Sequence, residues 1–192
     1  MATKPSYLSF KLTTGGRFLF PDEKLEREEK RPKIDAVLAT AKVRLLWDAA
    51  PKTCAAVCAQ LPMETAAVHG RHSGGEALCL TPKVIELPEE ENASLEYAKG
   101  DVCFCFEYKH ICQHALEDAS EIAWIYHEAS MPRRWVSIDG DKTNQSSPWK
   151  TVDVPLNKFG KIVEEDRFFE LSSSLPRSGQ IRMIIDVLHK SE

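Results

Sequence analysis

The chain has 192 residues, of which 43% are apolar, and its 25 Lys and Arg residues are outnumbered by 29 Asp and Glu residues, for a formal net charge of −4. This length predicts one domain, residues 1–192, whose core needs no metal or disulfide. The charge argues against a nucleic-acid binder with a broad basic surface, and no apolar run reaches the roughly 18 residues of a membrane span. Because the beginning of the chain lacks the apolar stretch of a signal peptide, we expect a cytoplasmic protein.

The first predicted elements are a strand, a hairpin turn and a charged segment. Residues 8–12 alternate apolar and polar side chains, which is typical of a strand with one buried face. The glycine pair at 15–16 permits the positive φ angles of a tight hairpin turn. Residues 21–33 are almost all charged, with mixed signs, so we predict that residues 21–40 form a charged surface insertion within the domain.

A strand predicted over residues 43–47 leads into the clearest helix of the chain. Pro51 suits the first turn of a helix, and Pro62 ends it. Four residues between the two prolines follow helical spacing and form one apolar face: Cys54, Val57, Cys58 and Leu61.

The rest of the chain predicts mainly strands. They lie in residues 65–80, with a turn at 73–75, and in residues 102–106, 121–126 and 181–188. Residues 156–171 predict a helix that is interrupted at Gly160, and residues 137–148 predict a loop. Many strands with about two helices indicate a mainly β protein, either a mostly antiparallel barrel or a sandwich.

The six cysteines form no CxxC pair, and most lie in apolar stretches, where a free thiol behaves as a small hydrophobic side chain. Cys54 and Cys58 fall on the predicted helix face, and Cys79, Cys103 and Cys105 fall on predicted strands. We therefore expect these five to fill the core, without disulfide or metal chemistry.

The strongest candidate for a chemical site is the segment around His69, Arg71 and His72. On a strand, His69 and Arg71 point to one face and His72 to the other. A His beside an Arg can bind a carboxylate or carbonyl group, the Arg through a bidentate fork. The alternative is an exposed strand face that carries solvated polar residues.

Weaker candidates follow later in the chain. His110 and His114 would meet on a helix face and could hold zinc, but no third ligand lies at a diagnostic spacing. Residues 139–144 resemble a calcium loop only faintly, because Lys150 stands where the loop needs a glutamate. Glu121 opens an apolar strand, so it lies either at a rim in water or in a pocket that would raise its pKa. We expect no metal and no cofactor.

Several segments, in the same order, resemble cyclophilins. Residues 43–58 resemble the strand-to-helix passage with its Pro-Lys-Thr, and residues 91–104 the Glu-Asn stretch whose glycine leads into a core strand. A closer resemblance is to a bacterial family of uncharacterised cyclophilin-like proteins. It rests on an Ala-Pro-Lys-Thr helix start, a His-x-Arg-x-Ser-Gly strand end (69–74) and a Glu-Ile-Ala-aromatic strand (121–124). The resemblance implies a closed antiparallel β-barrel of about eight strands with one or two capping helices.

The chain departs from the cyclophilin pattern at its site. Cyclophilins are prolyl isomerases that place an Arg beside an apolar proline pocket and a Gln. Here Gly70 displaces Arg71, Glu121 stands near the position of the Gln, and the late Trp and His have no equivalent. A carboxylate in place of a neutral amide shifts the expected ligand toward something small and polar.

The sequence thus leads to the hypothesis of a small polar metabolite, bearing a carboxylate or carbonyl, that is bound or acted on in a barrel cleft. Arg71 would anchor it, and His69 or Glu121 would carry a proton. The resemblance adds binding contacts from His72, Ser73, Trp124 and Tyr126. A weak prolyl isomerase and a non-catalytic interaction module remain alternatives. A homo-oligomer is compatible with the sequence, and no nucleic-acid or membrane partner is expected.

Overall fold

The computed structural model describes residues 4–14, 36–70, 72–107, 117–128, 130–137 and 149–188. Within these ranges the chain forms eleven strands and two helices. In chain order they are β1 (Tyr7–Thr13), β2 (Val37–Leu45), α1 (Pro51–Cys58), β3 (Met63–His69), β4 (Glu76–Leu80), β5 (Ala93–Ser94), β6 (Asp101–Glu107), β7 (Ala119–Ile125), β8 (Arg133–Ser137), β9 (Trp149–Asp153), β10 (Leu156–Asp166), α2 (Phe168–Ser178) and β11 (Gln180–Val187).

Eight strands form a closed antiparallel barrel, which confirms the predicted fold class. Their hydrogen-bonded order is β2-β1-β11-β3-β4-β7-β6-β10, and a further pairing of β10 with β2 closes the circle. The two-residue strand β5 adds to β10, whereas β8 and β9 form a separate two-stranded sheet. Closure pairs the edges that an open sheet would leave exposed.

The two helices lie at opposite ends of the barrel. Helix α1 follows the end of β2 at Leu45, which pairs with Gly160, whereas α2 follows the end of β10 at Asp166, which pairs with Thr40. The barrel therefore has an α1 end and an α2 end. No helix in the described part of the chain is both long enough and apolar enough to cross a bilayer.

Aromatic side chains from three elements fill the barrel interior near α2. The ring centroid of Phe10 lies 6.3 Å from that of Trp124 and 6.2 Å from that of Phe168, the first residue of α2. All three side chains are fully buried. Such edge-on and tilted contacts are the preferred geometries of aromatic pairs, and they join the helix to the barrel wall.

Helix α1 begins at Pro51, as predicted, and its Cys54 and Val57 side chains are fully buried. Its N-terminus is capped by a distant side chain, because Ala50 offers no side-chain cap. Glu91 accepts hydrogen bonds from the backbone N–H of Thr53 at 2.7 Å, from the Thr53 hydroxyl at 2.9 Å and from the backbone N–H of Lys52 at 3.1 Å. Burial raises the pKa of Glu91, but these bonds outweigh that effect and lower it overall.

The predicted helix over residues 156–171 is wrong. Residues 156–166 form β10, and the helix α2 begins only at Phe168. The register of β10 shifts between Lys158 and Gly160 and again between Ile162 and Glu164. These bulges break the two-residue alternation, so the apolar residues of a strand recur at a spacing that mimics a helix.

Three other predictions from the sequence concern residues that lie wholly or partly outside the described ranges. Of the charged insertion predicted over 21–40, residues 37–40 belong to strand β2, and residues 21–35 lie outside the described ranges. The hairpin turn at 15–16 also lies outside them. Of the loop predicted over 137–148, only Ser137 is described, and it is the last residue of β8, a strand that the sequence analysis missed.

The five described cysteines are free thiols. Cys79 faces the barrel interior, as expected. Cys103 and Cys105 instead face outward, where Cys103 packs with Ala123 and Leu156 in a second apolar cluster outside the barrel wall. Burial raises the pKa of the Cys79 and Cys103 thiols, which keeps both protonated.

We expect Glu91→Gln to lower the free energy of unfolding by about 1 kcal/mol, because it removes a negative charge from the positive end of α1. Urea unfolding at neutral pH measures the change. Since the folded pKa of Glu91 is lowered, the difference between the two proteins should vanish as the pH falls through that pKa. The exposed neighbour Glu90→Gln is the control, and an equal effect of the two substitutions would argue against the cap.

We expect Gly160→Ala to destabilise the barrel by about 1–3 kcal/mol through overpacking. A Cβ atom at Gly160 would lie 2.7 Å from Val43 Cγ1 and 3.3 Å from Val102 Cβ. Val43→Ala removes the nearest of these atoms, so Gly160→Ala should cost less in that background. Equal costs in both backgrounds, measured by urea unfolding, would contradict the proposed clash.

Candidate functional site

His69 and Tyr126 form a polar pair at the α2 end of the barrel. His69 ends β3, and Tyr126 directly follows β7; strand β4 lies between them, because His69 pairs with Ala77 and Ala77 with Trp124. The Tyr126 Oη atom lies 3.1 Å from His69 Nδ1, and the ring centroids are 6.2 Å apart. Both residues are half-buried, so solvent reaches the pair.

The environment of the pair selects its protonation state. Burial lowers the pKa of His69, although a hydrogen bond with the Glu76 backbone partly offsets this effect. Burial also raises the pKa of Tyr126, so its hydroxyl keeps the proton. A neutral imidazole can accept that hydroxyl proton at Nδ1, whereas an imidazolium has only donors. The Tyr126 oxygen then retains lone pairs for another donor.

The turn between β3 and β4 is docked against the segment that follows β7. Ser73 is 2% exposed, and its hydroxyl accepts a hydrogen bond from the backbone N–H of Arg133 at 3.1 Å. The Gly75 carbonyl accepts the backbone N–H of Tyr126 at 2.8 Å. Gly74 takes a φ of 72°, as the predicted glycine turn requires. The turn thus holds the pair in place, and Ser73 faces the protein rather than solvent.

Among the remaining predicted site residues, those that the structure describes have different surroundings. Arg71 lies outside the described residues, and His72 is exposed on the turn. Trp124 is fully buried, and its Nε1–H donates to the Ser172 hydroxyl at 2.9 Å. Trp124 therefore ties the barrel to α2, and it does not reach the surface where a ligand would bind.

The structure does not bring Glu121 together with His69. Glu121 pairs with Leu80 and Cys105 and faces outward from the barrel, near the α1 end. It lies five residues from Tyr126, about 16 Å along the strand. An odd separation places two strand residues on opposite faces, so the expected cleft that contains both His69 and Glu121 is not formed.

Glu76, the first residue of β4, carries a buried carboxylate that was not predicted from the sequence. Glu76 is fully buried, and a Cβ atom at Gly70 would lie 2.7 Å from its Oε2 atom. Gly70, which displaces Arg71 from the cyclophilin pattern, therefore leaves room for this carboxylate, which a larger residue would crowd. The available signal was the acidic residue that opens an apolar strand, the same signal that drew attention to Glu121.

No metal site is formed by the residues that the structure describes, since no three His, Cys, Asp or Glu side chains among them are grouped for it. His110 and His114 lie outside those residues.

We expect His69 to make stability fall with decreasing pH. Its folded pKa is below the value of 6.5 for an unperturbed histidine, so the unfolded chain binds the proton more tightly. The contribution of His69 is fully present above about pH 6.5 and is lost as the pH falls toward the folded pKa. His69→Gln should therefore flatten the decline in unfolding free energy between about pH 7 and pH 5. The exposed His72→Gln should retain the decline, and a full decline in His69→Gln would refute the assignment.

Comparisons with known proteins relate the chain to a family and to a solved structure. Residues 33–182 match the family model described as protein of unknown function (DUF3830). The chain is also similar to the hypothetical protein AF2241 from Archaeoglobus fulgidus, known from a solution structure, at 15% identity over 96% of each chain with a TM-score of 0.41. No curated protein matches the chain. Since the family model spans most of its length, the chain belongs to the DUF3830 family of proteins of unknown function.

Proposed function

We propose that this protein binds a small polar metabolite, bearing a carboxylate or carbonyl group, at the α2 end of the barrel beside His69 and Tyr126. The observation that carries the proposal is the 3.1 Å contact between Tyr126 Oη and His69 Nδ1 in a half-buried position. Polar groups withdrawn from water need hydrogen-bond partners, and this pair keeps acceptor capacity on a side that solvent reaches.

Arg71 is the proposed anchor of the negatively charged or carbonyl group. It follows His69 by two residues, and a guanidinium holds a carboxylate through two parallel hydrogen bonds. The Tyr126 oxygen would then accept a hydrogen bond from a second ligand group. If that group gives up a proton to Tyr126, the hydroxyl can pass its own proton to Nδ1, which makes His69 the proton acceptor.

The proposal drops three of the residues that the sequence suggested. Glu121 faces another side of the barrel, while Trp124 and Ser73 are buried and bonded within the protein. His72 stays in the proposal as an exposed neighbour on the turn.

We further propose that the barrel is of the cyclophilin type, from a bacterial family, and that it acts in the cytoplasm. Eight closed antiparallel strands with one helix at each end support the first point, together with the order of the sequence motifs. The free state of the five described cysteines supports a reducing compartment.

Titration with acetate, pyruvate and succinate, followed by NMR of the histidine ring protons, tests the proposal. We expect binding that shifts the His69 signals and weakens about tenfold or more in Arg71→Ala, because a charge-assisted pair is lost. Tyr126→Phe should also weaken binding. Glu121→Gln is the matched control, since it removes a charge on the opposite face and should leave affinity unchanged.

Two results would overturn the proposal. One is the absence of binding by all three probes at about 10 mM. The other is affinity that Arg71→Ala and Tyr126→Phe leave intact. A proline-peptide isomerisation rate that Arg71→Ala abolishes would assign the site to the isomerase alternative instead.

A further inference from the structure

A concavity of about 460 Å³ lies at the α1 end of the barrel, remote from His69. The first residues of β1, the end of β2 and the turn that leads into α1 form its walls. Its volume falls within the range of small-molecule sites in proteins. Aromatic, aliphatic and charged side chains line it together, among them Tyr7, Arg44, Leu46, Trp47 and Asp48.

Arg44 and Asp48 bring opposite charges to this concavity without pairing with each other. Both side chains are exposed, and neither forms an ion pair anywhere in the part of the chain that the structure describes. Nearby lysines behave differently: Lys42 Nζ lies 2.7 Å from Glu164, and Lys161 Nζ lies 2.8 Å from Asp101. The concavity thus keeps one guanidinium and one carboxylate available.

The walls that carry these charges are held by the backbone. Arg44 pairs directly with Tyr7 across β2 and β1, which places their side chains next to each other on the outer face. Trp47 Nε1–H donates to the Pro5 carbonyl at 2.7 Å, and the backbone N–H of Ala49 donates to the Leu46 carbonyl at 3.0 Å. A ligand would therefore meet preformed walls, which limits the entropy lost on binding.

We propose that this concavity binds a small zwitterion of the amino-acid class. Arg44 binds the carboxylate through its planar fork, and Asp48 binds the ammonium group. The Lys4 and Lys42 ammonium groups each lie 4.7 Å from the ring centroids of Trp47 and Tyr7, respectively. The ligand side chain therefore packs against Leu46 and against the parts of these two rings that the lysines leave open. A ligand with only a carboxylate would face the like charge of Asp48, and one with only an ammonium group would face Arg44, so both partial ligands bind less well.

Isothermal titration with phenylalanine tests the proposal, with 3-phenylpropionate and 2-phenylethylamine as the probes that lack one charge each. We expect phenylalanine to bind, and we expect the affinity of each partial probe to be lower by at least about tenfold. Arg44→Gln and Asp48→Asn should each weaken phenylalanine binding to a similar degree. Arg177→Gln, an exposed arginine at the end of α2, is the matched control and should leave binding unchanged.

Three outcomes would overturn the proposal. They are no phenylalanine binding, phenylalanine binding that survives both substitutions, and binding of 3-phenylpropionate as tight as that of phenylalanine. Because the concavity and the His69 site lie at opposite ends, Arg71→Ala should leave phenylalanine binding intact. Either proposal can therefore fail while the other stands.

Discussion

The pairing of β10 with β2 is the constraint on which the rest of the structure depends. Strand β10 also pairs with β6, so it joins the two ends of an otherwise open sheet. This double pairing brings the β10 backbone at Gly160 against the Val43 side chain, where a Cβ atom would lie at 2.7 Å. A larger residue at this position would therefore oppose closure, and the two bulges of β10 adjust its register to both neighbours.

Closure gives the barrel two ends and two faces, and these separate the candidate sites. The strands run antiparallel, so every second connection lies at the same end. His69 and Tyr126 meet at the α2 end, whereas Arg44 and Asp48 lie at the α1 end with the turn into the first helix. The outward face of β6 and β7 carries a third environment, where Cys103 is sealed in apolar contacts. Each end thus presents its own set of polar and charged side chains.

The two helices stabilise the barrel. Phe168 of α2 closes the interior by contact with Phe10 and Trp124, and the hydrogen bond from Trp124 to Ser172 holds the helix in one orientation. Glu91 holds the beginning of α1 from a segment 38 residues away. Buried polar groups in both places are satisfied, which favours one packing over its alternatives.

Local patterns in the sequence determined the alternating strand β1, the proline-started helix α1 and the glycine turn between β3 and β4, because backbone preferences act over a few residues. They also singled out His69, whereas Tyr126 was suggested only by the resemblance to cyclophilins. Only the tertiary structure decided that β10 is a strand, because its bulges fit its register to the neighbouring strands β2 and β6. It also decided that Glu121 faces away from His69 and that Trp124 is buried, because burial depends on which strands become neighbours. Arg44 and Asp48 became a candidate site for the same reason, because only the fold places these two exposed charges at one concave surface.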